Sequence, residues 1–95
     1  MNVELKKRVR HKLDSKGEYY ESVVEIEGIV EVEGIRLRRT ERVYTDLTCD
    51  SSDRIERIKN TINEIVVSLL GRANTFKKNL AELRRELGDF EEIID

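Results

Sequence analysis

The chain has no proline, no tryptophan, one cysteine and one histidine, and each shortage closes off a class of function. A lone cysteine, Cys49, allows no disulfide within the chain and agrees with a reducing compartment. Cys49 and His11 together fall short of the ligand set of a structural zinc site, and no cofactor is expected. The five glycines stand apart at positions 17, 28, 34, 71 and 88, so no glycine-rich phosphate loop is present. Three tyrosines and two phenylalanines give little material for stacking single-stranded bases. No apolar run approaches the length of roughly 18 residues that a membrane helix needs. The opening MNVELKKRVR lacks the apolar core of a secretory signal, and the expected location is cytoplasmic. Neither charge sign dominates: 18 Lys+Arg against 20 Asp+Glu leave a net charge of −2.

What is present is charge and aliphatic residues in regular alternation. Charged residues make up 40% and hydrophobic residues 38% of 95, which suits one small folded domain over residues 1–95. The period changes near residue 49. Residues 1–48 alternate as strands do, whereas those after 50 repeat as helices do. Val3, Leu5, Val9 and Leu13 share one strand face, and Glu4, Lys6, Arg8, Arg10 and Lys12 the other. Asp14 to Gly17 has the composition of a turn, and Glu33-Gly34 that of a two-residue hairpin loop. Between them lies a strand with Tyr20, Val24, Ile26, Val30 and Val32 at even positions. The segments VEIEGI and VEVEGI form a two-copy repeat, too few for a solenoid.

Charge fixes an expected register. A turn pairing Leu13 with Glu18 places Lys6 opposite Glu25, Arg10 opposite Glu21 and Leu5 beside Ile26. The second turn places Glu31 opposite Arg36, Glu25 opposite Arg42, Val23 opposite Tyr44 and Val24 beside Val43. An acidic central strand between two basic ones is stabilised by about 0.2–1 kcal/mol per opposed pair. In this register the first strand ends opposite Gly28, which marks a bend, and an arm from Ile29 to Arg38 extends beyond it.

The helical half opens on the capping residues Asp50, Ser51, Ser52 and Asp53. Ile55, Ile58, Ile62, Ile65, Val66 and Leu69 form one stripe; Ala73, Phe76, Leu80, Leu83 and Leu87 form another. With Gly71 as a stop, the expectation is a first helix over 50–70, a second over 73–88 and an acidic turn over 89–95. The two stripes keep one phase at about 100° per residue, so the alternative is one long kinked helix through Gly71. The fold class is therefore α+β: a three-stranded antiparallel meander, packed on its apolar face by a C-terminal helix and followed by a second.

This leaves little for catalysis. His11 reads as a histidine at the edge of the core, bonded to a neighbour. Cys49 reads as a packing residue, and Asp50 and Asp53 as caps rather than metal ligands. The expected function is a non-catalytic interaction module, a homodimer that binds a protein partner. Candidate interface residues are Ile29, Val30, Val32, Ile35, Leu37, Phe76, Leu80, Leu83 and Leu87. A DNA-binding regulator using Arg36, Arg38, Arg39 and Arg42 on the arm is the alternative. A small enzyme with an intersubunit site around Cys49 and His11 ranks below both, and no membrane partner is expected.

Overall fold

The computed structural model describes residues 1–95. Three strands come first: β1 (Glu4–Leu13), β2 (Tyr19–Val32) and β3 (Ile35–Thr45), followed by a single helix, α1 (Arg54–Leu87). The strands form an antiparallel sheet in the order β1-β2-β3. The chain is thus α+β, and the expected second helix is absent. α1 runs unbroken through Gly71, as the shared phase of the two stripes allows. At about 1.5 Å per residue its 34 residues span roughly 51 Å.

The β2–β3 register is the expected one, with Glu31 opposite Arg36, Glu25 opposite Arg42, Val23 opposite Tyr44 and Val24 opposite Val43. The turn between them has positive φ at both Glu33 (53°) and Gly34 (77°), as a type I′ hairpin requires. The β1–β2 register differs by two residues: Lys6 lies opposite Glu27, Arg8 opposite Glu25 and Lys12 opposite Glu21. Leu5 meets Gly28 rather than Ile26, and β1 reaches Ile29 through Glu4. The cause is a wider loop. Asp14 Oδ1 accepts from the backbone N–H of Lys16 and Glu18, and a bulge pairs Leu13 with Tyr19. A two-residue shift keeps every side chain on its face and sets Lys6, Arg8 and Lys12 opposite glutamates, while Arg10 comes opposite Val23.

Ile26, Val30 and Val32 on the sheet meet Ile65, Leu69 and Ala73 on the helix in the core, with Val3, Leu5, Val24, Leu37, Ile58, Ile62 and Phe76 around it. Gly28 is the point of closest approach rather than a bend. A Cβ there would collide with Ile65 Cγ2 and lie 2.7 Å from Leu69 Cδ1. α1 packs against β2 and β3 alike, and β1 reaches the core only at its start, through Leu5. Only 12 of 95 residues are buried, and the molecule measures 61 × 29 × 16 Å.

Candidate functional site

The outer face of the sheet carries the opposed charges. Glu25, on β2, receives two arginines: Arg10 Nε and Arg42 Nε each lie 3.3 Å from its Oε1. Partial desolvation pushes this carboxyl up, but the bond from Arg42 and the charge of Arg10 outweigh it and hold it below its ordinary value. Lys12 pairs with Glu21 at 3.3 Å and sits 5.2 Å above the Tyr44 ring. Arg36 and Arg38, on the outer face of β3, make no ion pair, and neither do Lys6 and Arg8. Because β1 reaches Ile29, Arg38 lies within the three-stranded sheet rather than on the expected arm. Arg39 points to the helix side, opposite Gly28, and pairs with Glu41 at 3.0 Å.

His11 belongs to a polar cluster that sequence reading did not assemble. Its Nδ1 lies 2.7 Å from Ser22 Oγ, and the Tyr19 hydroxyl donates to the same Ser22 oxygen at 3.2 Å. Tyr19 in turn accepts from the Leu47 N–H at 2.9 Å. Ser22 is fully buried, so it ties the strand end together and offers no accessible nucleophile. The signal was present in part: Ser22 stands opposite His11 once the wider turn sets the register.

The connection from β3 to α1 is fastened by arginine rather than by caps. Arg54 donates to Thr45 Oγ1 at 2.8 Å, to the Asp46 carbonyl at 3.1 Å and to the Cys49 carbonyl at 2.7 Å. Asp53 occupies the N-cap position without a side-chain capping bond; its carboxylate is engaged by Ser51 and Arg57 instead. Asp46 accepts from the Thr48 hydroxyl at 2.6 Å and the Cys49 thiol at 3.5 Å, and the Thr48 bonds hold its pKa below the ordinary value. Cys49 is exposed. No group of three or more His, Cys, Asp or Glu side chains is placed to hold a metal ion.

The interface candidates divide. Ile29, Val30 and Val32 are buried within the chain itself; Ile35, Leu37, Phe76 and Leu80 are half-buried. Leu83 and Leu87 are exposed, with Phe90, Ile93 and Ile94 beside them in sequence. There the helix passes the hairpin turn, where Arg84 meets Glu33 at 3.6 Å and Glu92 at 2.6 Å. A groove also runs along the other side of the helix, between α1 and β3, lined by Leu37, Arg39, Val67, Ser68 and Gly71. Comparison with known proteins gives no matching family model, curated protein or solved structure.

Proposed function

We propose that the chain is a non-catalytic interaction module that works as a homodimer and presents its remaining surface to a protein partner. One observation carries this reading: the molecule is under-buried. Its accessible surface is 7319 Å², about 1,600 Å² more than the roughly 5,700 Å² expected for a compact chain of 11.2 kDa. A standard interface removes about 800 Å² from each partner, so the excess on one chain is about twice what one such interface covers. The reactive side chains support the same reading, since His11, Ser22 and Tyr19 are spent on one another. Light scattering across the micromolar range should give twice the chain mass; a monomer throughout would end the proposal.

A second reading has its own support. Arg36 and Arg38 lie unpaired on the outer face of the β2–β3 hairpin, whose other face α1 covers, and a pair of strands can enter the major groove of DNA. Duplex affinity that falls steeply with salt, and weakens in Arg38→Ala, would favour it.

A further inference from the structure

We infer that the second copy joins along the free edge of β3. The two β3 strands pair antiparallel about Thr40, making one six-stranded sheet with both α1 helices side by side on the same face. This rests on the self-association proposed above and specifies its surface.

The edge is available and of the right kind. The hairpin closes on the pair Val32 and Ile35, so odd residues of β3 bond to β2 and even residues point their N–H and C=O outward. Two of those outward carbonyls are met only by arginines from the helix. Arg72 donates to the Arg38 carbonyl at 3.2 Å and Arg57 to that of Tyr44 at 3.5 Å. A partner strand would replace these with backbone bonds and release both guanidiniums.

The geometry of the helix selects β3 over β1. Strands stand about 4.8 Å apart, and α1 sits over β2 and β3 alike, so its axis lies about one strand spacing from a β3–β3 joint. Two such helices would be separated by about 9.6 Å, within the roughly 8–10 Å at which helices pack. A joint through β1 would hold them far apart over a bare strip. The helix face that would meet its copy carries Val67, 72% exposed, and Gly71, whose Cβ position has nothing within 4 Å. In the single chain neither residue has a packing role.

Charge selects the register. With Thr40 on the twofold axis, Arg39 faces the partner's Glu41 and Leu37 faces the partner's Val43, each twice by symmetry. Moving the axis one residue either way sets Arg39 against Arg39 or Glu41 against Glu41. Registers pairing odd with even residues would throw the two helices to opposite faces. On the outer face Arg38 meets the partner's Arg42, but Glu25 already holds Arg42 at 3.3 Å.

The test uses the whole chain. In a Cys49→Ser background, Thr40→Cys should form a covalent dimer on mild oxidation, while Lys6→Cys on β1 should not. Glu41→Arg and Arg39→Glu should each weaken association at least tenfold in sedimentation equilibrium. An equimolar mixture of the two should restore it, because each supplies the charge the other lacks. Restoration cannot come from the Arg39–Glu41 pair within one chain. A native dimer in which Thr40→Cys does not link, or folded variants whose mixture stays monomeric, overturns this interface while leaving self-association standing. A native monomer overturns both.

Discussion

Two glycines illustrate opposite demands on one residue type. Gly28 lies under the helix, where an added methyl must displace Ile65 and Leu69, both fully buried. Overpacking of this kind costs about 1–3 kcal/mol, so Gly28→Ala should lower the melting temperature by several degrees. Gly71 lies on the open side of the helix with nothing near it. In the single chain, at concentrations too low for association, alanine there should raise helix stability by about 1 kcal/mol. Thermal unfolding of the two variants followed by circular dichroism checks both signs at once; equal effects would contradict this placement of the helix. A third prediction concerns acid. The folded Glu25 carboxyl titrates below its ordinary value of 4.5. An unfolded chain therefore takes up that proton first as pH falls, and the stabilisation is fully present above the unfolded value. It is lost as pH drops through the depressed folded value. Glu25→Gln should flatten the acid limb of the stability profile and leave its shape near neutrality unchanged.

At the level of elements, the sheet was largely legible and the helix only by half. Period two in residues 3–45 gave three strands, and opposed charges gave the β2–β3 register because a two-residue turn leaves no slack. The β1–β2 register escaped by two residues because charges repeating every second position look alike after such a shift. What decided it was an Asp14 side chain capturing two backbone N–H groups, a local bond that periodicity does not contain. The helix count turned on Gly71. An interior glycine argues for a stop, yet the continuous stripe from Ile55 to Leu87 carries the opposite answer, one helix. The helix start differs in kind from the sequence expectation, with Asp53 at the N-cap position but no side-chain capping bond. Asp50 and Asp53 suggested capping, whereas the Arg54 side chain fastens the turn through three acceptors. Arg54→Ala should cost about 1.5 kcal/mol and speed amide hydrogen exchange in the first turns of α1 more than in the sheet. Of the site, the polar cluster required Tyr19, Ser22 and Leu47 to meet from distant positions, which only the folded strand ends bring about.

The whole molecule is long and thin for its mass. Its radius of gyration is 19.0 Å, against about 12 Å for a compact chain of 95 residues. A shape of 61 × 29 × 16 Å is close to a sheet and a helix laid on one another, with solvent on every side. Such a plate buries few residues, and a core that small rarely supplies more than about 3–5 kcal/mol alone. Association and folding should then be linked, because whatever binds only the folded state stabilises it by mass action. If folded dimers unfold to separate chains, a tenfold rise in concentration adds about 1.4 kcal/mol to the stability of the pair. Divided by an unfolding entropy of roughly 0.4 kcal/mol/K for two chains, that raises the melting temperature by about 3 °C. Calorimetry at two concentrations a decade apart measures this directly. A melting temperature that does not move would mean that the plate is stable as a single chain and that its uncovered surface awaits a different partner.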